Sequence, residues 1–148
     1  MYCTTEEVRS SIKDDALNIL IGDAYIDDPE ERELLIVPII VETIEDACGE
    51  IDGYLAKRYP IPLTTIPKVI NKFAKDMAVY NLFSRKGIDE SDKEKTILNR
   101  YNAAVRFLEN VAKGIIDIGV SDNKKKADTS FSAHSSTRRF SRDSMKGM

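Results

Sequence analysis

Tryptophan is absent from this chain of 148 residues, which contains one histidine, His134, and two cysteines, Cys3 and Cys48. A single histidine cannot build a multi-histidine metal site, and two distant cysteines do not make a zinc site. The sequence also lacks a glycine-rich phosphate loop, a nucleophile elbow and a nucleotide-binding fingerprint. We therefore expect no enzymatic activity, no metal or other cofactor and no small-molecule substrate.

Long apolar runs are missing as well, since none reaches the length needed to cross a membrane. The N-terminus, MYCTTEEVRSS, lacks the basic start and apolar middle of a signal peptide. We expect an intracellular protein with no membrane partner, in a reducing compartment that disfavours a disulfide. Hydrophobic residues make up 42% of the chain and charged residues 32%, which suits one domain with one core.

Charge is unevenly distributed along the chain. Residues 121–148 carry seven basic and three acidic side chains, or +4; the whole chain is −3, so residues 1–120 are −7. We predict a helical domain over 1–120 and a basic tail over 121–148 that is disordered alone and orders on assembly. The candidate partners for such a tail are a neighbouring copy's acidic body, another protein and nucleic acid.

Bulky apolar residues recur among the arginines of the tail. This pattern is typical of a segment that folds on a partner, the alternative being a solvated tail. The candidate partner contacts in the tail are Phe131, Arg138, Arg139, Phe140, Arg142 and Met145.

The stretch Val37–Leu63 organises the rest of the chain. Its apolar residues recur at spacings of three and four, which places them on one face of an α-helix. They are Val37, Ile40, Val41, Ile44, Ala47, Cys48, Ile51, Tyr54 and Leu55. Acidic residues occupy the other face, and we interpret them as a solvated surface rather than as paired catalytic carboxylates.

A proline-rich segment ends this helix. Pro60 and Pro62 have no backbone N–H and disfavour the α region at the residues before them. We therefore predict a rigid extended arm. The candidate oligomer or partner contacts in this arm are Arg58, Tyr59, Pro60 and Pro62.

Asp28 and Pro29 predict the start of the long helix. Pro38 either kinks that helix or divides it into a helix over 29–36 and another from about 38, and we favour the division. Gly49 and Gly53 weaken the later turns, which we attribute to close packing by another element.

Two short helices are predicted before the long one. Thr4 and Glu7 have capping-box spacing, and the segment 14–21 has helical spacing up to Gly22. Helices over 4–12 and 14–21 would form a helix-turn-helix-like pair, which gives the alternative function of a small nucleic-acid-binding or regulatory protein. The second helix has no basic residue, however, so phosphates would repel it.

Two further helices follow the arm. Pro67 opens the first, Gly87 ends it, and Lys113-Gly114 ends the second. Their apolar stripes are Ile70, Phe73, Ala74, Met77, Ala78 and Leu82, and then Ile97, Tyr101, Ala104, Val105, Leu108, Val111 and Ala112. Residues 115–120 either pair as one strand or lie extended on the core. The predicted fold is all-α, a small bundle of four to five helices with one long central helix, a proline-rich extended arm and a flexible C-terminal tail.

The block EIDGYLAKRYPIPL, residues 50–63, resembles the signature of a small structural protein family of Mu-like phages and prophages. Supporting matches are Pro67, Asp76-Met77-Ala78, Tyr80, Leu82, Arg100-Tyr101, Ala104, Phe107-Leu108, Lys113-Gly114, Phe140-Ser141-Arg142-Asp143 and Lys146-Gly147. That family is similar to the head–tail connector proteins of tailed bacteriophages, also called adaptor or head-completion proteins, which are helical and form rings beneath the portal.

This resemblance implies a structural phage or prophage protein and no catalytic residues. The implied partners are further copies of the chain in a ring, the portal and tail-completion proteins, and DNA passing nearby without sequence-specific contact. The implied location is the bacterial cytoplasm during assembly and the head–tail junction of the virion afterwards.

Overall fold

A computed structural model describes residues 1–22, 26–87 and 92–120, the side chains of 92–94 aside. Within these ranges the chain forms α1 (Thr5–Arg9), α2 (Asp14–Ile21), α3 (Pro29–Leu55), α4 (Lys68–Ser84) and α5 (Asp92–Lys113). The predicted all-α bundle around one long helix is confirmed. The predicted flexible tail and its six candidate contact residues lie outside the described residues.

The central helix α3 is continuous, so the predicted division at Pro38 is wrong. It has 27 residues and is about 40 Å long. Asp28 caps it by accepting a hydrogen bond from the backbone N–H of Glu30 at 3.0 Å. Pro38 has no N–H to donate to the carbonyl of Leu34. Both residues are exposed, so water can bond that carbonyl. Complete burial of Ile36 and Ile40 holds the turns on either side of the proline.

The bundle core lies between α3, α4 and α5, and α1 and α2 pack against α3. Most residues of the predicted apolar stripes face this core, but Val37 is 39% exposed. Ile36 is buried in its place, because the core-facing stripe of the first turns runs through Ile36 and Ile40. The largest fully buried side chains are Tyr59, Leu17, Ile36, Ile40, Ile44, Ile51, Leu55, Ile70, Met77, Leu82, Leu108 and Val8.

Local signals place the helix ends. The capping box of α1 is confirmed, with the Thr4 N–H donating to Glu7 Oε2 at 2.9 Å. Gly22, with φ of 135°, follows α2, and Gly114, with φ of 83°, follows α5, as predicted. Helix α4 begins at Lys68 with Pro67 as its N-cap, one residue later than the prediction placed it.

Gly49 and Gly53 lie on the exposed side of α3. A Cβ built at either position meets no described atom within 4 Å. The predicted close packing by another element is therefore wrong within the described part of the chain.

Only the middle of the predicted proline-rich arm is exposed. Tyr59 and Leu63 are buried at 1% and 7% exposure, whereas Pro60, Ile61 and Pro62 between them face solvent. Residues 115–120 form no strand and pack on the core through Ile118, as the second predicted alternative has it, but they bend there instead of lying extended. Among the described helices, none is both long and apolar enough to span a membrane.

Candidate interaction surfaces

Arg58 binds the C-terminal end of α5 within its own chain. Its Nη1 donates to the main-chain oxygens of Val111 and Ile116, each at 3.2 Å. The last carbonyls of a helix carry partial negative charge, so a guanidinium is well suited to them. This end of α5 lies close to the arginine side chain, since a Cβ built at Gly114 would be 3.5 Å from the same nitrogen.

Tyr59 continues this internal contact. Its hydroxyl accepts a hydrogen bond from the backbone N–H of Ile118 at 3.4 Å, and its ring lies 5.3 Å from the Arg58 guanidinium. Of the four candidate contacts predicted here, Pro60 and Pro62 are exposed and Arg58 is half-buried. The buried Tyr59 cannot touch a partner in this conformation, so it would support an interface only by holding the exposed prolines in place.

Tyr2 ties the N-terminus to three other parts of the chain. Its hydroxyl donates to Asp52 on α3, and the Leu63 N–H donates to that hydroxyl at 3.5 Å. Its carbonyl accepts from Asn71 Nδ2 on α4 at 3.0 Å, and its N–H donates to Cys48 Sγ at 3.2 Å. Burial, and then the bond to Asp52, raises the pKa of the Tyr2 hydroxyl.

Glu7 extends this network from α1 to α4. Its carboxylate accepts from the Thr4 N–H at 2.9 Å, from Asn71 Nδ2 at 3.1 Å and from Lys75 Nζ at 3.4 Å. These donors, the Thr4 N–H above all, lower the pKa of Glu7 to about 2. The two cysteines, Cys3 and Cys48, are both free thiols.

Asp76 is a buried carboxylate that joins α4 to α5. Its oxygens lie 2.6 Å from Arg100 Nη2 and 3.0 Å from Lys72 Nζ, while its side chain is only 3% exposed. The apolar periodicity of α4 did not reveal this burial, although the spacing of four between Lys72 and Asp76 is a recognisable signal of an ion pair.

A cavity of about 490 Å³ opens beside this ion pair. It is lined by Ser11, Lys13, Asp15, Ala16, Lys72, Lys75, Asp76, Val79, Phe83, Ile97 and Arg100. Two of its cations already neutralise the buried carboxylate. The arrangement therefore holds α4 against α5, since the buried charge requires its partners to stay in place.

Part of the acidic face of α3 is used inside the subunit. Glu50 accepts from the Tyr101 hydroxyl at 2.9 Å, and Tyr101 stacks on Tyr80 with ring centroids 4.1 Å apart. Burial, and then this hydrogen bond, raises the pKa of Tyr101 to about 12. Glu45 and Asp46 remain exposed. The predicted solvated face is thus correct for the middle of α3, and wrong for Glu50, which is bound to α5, and for Asp52, which is bound to Tyr2.

An exposed apolar groove runs along the first half of α3. We call it the α3 groove: it has a volume of about 680 Å³ and is lined by Pro29, Glu30, Glu33, Leu34, Val37 and Pro38. Leu34 is 76% exposed, although it lies in a helix that buries Ile36, Ile40 and Ile44 completely. Contiguous exposed apolar surface of this kind makes the groove a candidate interaction site.

The sequence contained a signal for the α3 groove. The run LLIVPIIV, residues 34–41, is apolar around most of the helix and cannot face one core entirely. Periodicity places Val37 on the core-facing stripe, so it does not show that this run has more apolar residues than one core can bury.

Within the described residues, no group of three or more His, Cys, Asp and Glu side chains is arranged to hold a metal ion. His134, like the tail as a whole, lies outside them. The expected absence of metal and cofactor stays a prediction.

Comparison with known proteins connects this chain to bacteriophages. A family model described as "Bacteriophage Mu, Gp36" matches residues 2–136. The chain is 32% identical over 121 residues to the Mu-like prophage FluMu protein gp36 of Haemophilus influenzae, which covers 82% of this chain and 79% of that protein. It is 35% identical over 79 residues to Gene product J of Escherichia phage Mu, which covers 53% of this chain and 52% of that protein.

Proposed function

The chain belongs to the bacteriophage Mu Gp36 family, and on that premise we propose that it is a structural protein of the head–tail junction, where copies form or join a ring under the portal. The contacts between copies are head to tail, so each subunit presents one surface to the copy before it and a different surface to the copy after it.

The observation that carries this proposal is the exposure of the α3 groove. Helix α3 buries Ile36, Ile40 and Ile44 completely, yet it leaves Leu34, Leu35 and Val37 exposed to water. Burying an apolar side chain contributes about 1.5–3 kcal/mol. A partner that covers these residues would therefore gain binding free energy. A protein that works by joining others has a use for such a surface.

The charge distribution supports contact between unlike surfaces. Residues 27–33 contain five carboxylates and one arginine, whereas residues 121–148 have a net charge of +4. Opposite charges on different parts of one chain favour attraction between neighbouring copies over repulsion. A net-negative body would also bind only weakly to DNA that passes through the ring, since the phosphates would repel it.

The proposed role is not enzymatic. Among the described carboxylates, Glu7 has a strongly lowered pKa and Asp76 is buried. Each takes part in ion pairs and hydrogen bonds that hold helices together. These partners give both groups a structural role.

The alternative, a nucleic-acid-binding helix pair, is less well supported. Helices α1 and α2 bury Val8, Leu17 and Leu20 against the bundle. Helix α2 has no basic residue with which to approach phosphate.

Deletion of the gene from an inducible prophage tests the proposed function. We expect DNA-filled heads and separate tails, seen by electron microscopy of the lysate, and joined particles again when the wild-type gene is supplied from a plasmid. Normal joined particles in the deletion strain would contradict the proposal.

A further inference from the structure

We propose that the α3 groove is the docking site for the segment Arg138–Met145 of a neighbouring copy. This inference rests on the proposed function and deepens it, because it identifies the surface through which one copy holds the next. The opposite charges of residues 1–120 and 121–148 do not by themselves identify which surface binds the segment. The α3 groove is suited to it because it has both an apolar floor and an acidic rim.

The floor of the α3 groove suits one or two bulky apolar side chains. Leu34, Val37 and Pro38 form it, and its volume of about 680 Å³ is ample for an aromatic ring together with a thioether. Leu34 is exposed over three-quarters of its surface, so a ring placed on it would remove substantial apolar area from water.

The rim of the α3 groove is acidic. Glu30 and Glu33 line it, and Asp27, Asp28 and Glu31 stand exposed around the same end of α3. Arg9 already pairs with Glu33 at 2.7 Å. Four further carboxylates thus remain near the groove to attract a cationic partner, and only Arg32 opposes them in residues 27–33.

The segment 138–145, RRFSRDSM, has the complementary chemistry. It carries Arg138, Arg139 and Arg142 against a single carboxylate, Asp143, and includes Phe140 and Met145 as apolar anchors. Aromatic residues and arginines are the side chains most often responsible for binding energy at interfaces. The thioether of methionine adapts to irregular apolar surfaces.

The chain between the bundle and this segment is long enough to reach another subunit. Seventeen residues separate Val120 from Arg138. They span up to about 60 Å when extended, compared with about 40 Å for the whole of α3. A docked segment can therefore bridge two bundles without their cores touching.

Peptide binding tests the docking site directly. The receptor is the full-length chain with Phe140→Ala and Met145→Ala, which disables its own segment. The probe is a fluorescein-labelled peptide of residues 136–148, followed by anisotropy. We expect saturable binding that a scrambled peptide of equal charge does not reproduce. Equal binding of the two peptides would overturn the proposal.

Groove variants of the same receptor locate the binding. Leu34→Glu with Val37→Glu should weaken binding at least about tenfold, because the charges oppose burial of the aromatic anchor. The matched control is Ile19→Glu on α2, which changes a similarly exposed apolar residue outside the groove and should leave affinity unchanged. Equal loss in both variants would overturn the proposal, and circular dichroism checks that both keep the fold.

A mixing experiment decides whether the segment docks on a neighbour. Full-length protein with the disabled segment and full-length protein with the disabled groove should each sediment as monomers, while their mixture should form one-to-one dimers. Wild-type protein should self-associate at the same concentrations. If the mixture forms dimers but the wild type stays monomeric, the segment docks on its own chain and the proposal is wrong; a mixture that stays monomeric also overturns it. Joined particles produced by a groove-disabled phage would refute the docking site and leave the proposed function standing. Normal joined particles from the deletion strain described above would instead refute the proposed function.

Discussion

Arg100 reaches from α5 to Asp76 on α4, with Nη2 at 2.6 Å from Oδ1, although the arginine side chain is 58% exposed and the aspartate only 3%. An exposed cation thus compensates a buried anion on another helix. The pair makes the α4–α5 contact specific, because the buried carboxylate is satisfied only when the helices lie in this register.

Removing this cation should destabilise the bundle. We expect Arg100→Gln to lower the free energy of unfolding by about 1–3 kcal/mol, since among the described residues Asp76 then keeps only Lys72 as a charged partner. The control is Arg106→Gln, an exposed arginine on the same helix, which should change stability by less than about 0.5 kcal/mol. Urea unfolding followed by circular dichroism measures both, and equal effects would refute the role given to the pair.

Glu7 should make stability depend on pH in the acid range. Its pKa in the folded chain is about 2, below its ordinary value of 4.5, so its contribution to stability is full above about pH 4.5 and is lost as the pH falls towards 2. Glu7→Gln should flatten this part of the profile. Glu6→Gln, an exposed neighbour in the same helical turn, should leave the profile as in the wild type. Thermal melts between pH 2 and 6 make the comparison, and a wild-type profile in Glu7→Gln would count against the network.

Tyr59 should protect the segment after α5. We expect Tyr59→Phe to speed amide hydrogen exchange at Ile118, because the N–H loses its acceptor at 3.4 Å. Arg58→Gln should extend the effect to the α5 end, where Val111 and Ile116 lose their donor. The exposed Lys57→Gln should alter neither. Unchanged exchange in all three variants would show that this segment is held by packing alone.

The glycines of α3 and of the α5 end should respond oppositely to alanine. Gly49→Ala should stabilise the chain by about 0.5–1 kcal/mol, because the position is helical and a Cβ there meets no described atom within 4 Å. Gly114→Ala should destabilise it, because φ is +83°, a backbone conformation that is strained for alanine. Chemical unfolding of the two variants provides the measurement. A loss of stability in Gly49→Ala would show that this face of α3 is packed after all.

Helix periodicity was the most informative part of the sequence. It placed Ile40, Ile44 and Ile51 in the core, and capping residue types located the caps at Thr4 and Asp28, because both signals depend on residues close together in the chain. The break expected at Pro38 was wrong, because burial of Ile36 and Ile40 outweighs the local preference of proline for a break.

The sequence pattern could not predict contacts between segments that are far apart in the chain. The sequence suggested that Arg58 and Tyr59 belong to a projecting arm, yet both bind residues 53 to 59 positions further along the chain. The buried Asp76 was missed for the same reason, because Arg100 on another helix makes its burial possible. The α3 groove was overlooked because a periodicity search reports which apolar residues can share a core, not which of them the core leaves outside.

Electron cryomicroscopy of particles purified after prophage induction tests the central claim most directly. The proposed role predicts copies of the α3–α4–α5 bundle repeated around the tail axis immediately below the portal, in wild-type particles. A portal that contacts the tail with no density for this bundle between them, or purified particles in which mass spectrometry finds none of this chain, would contradict it.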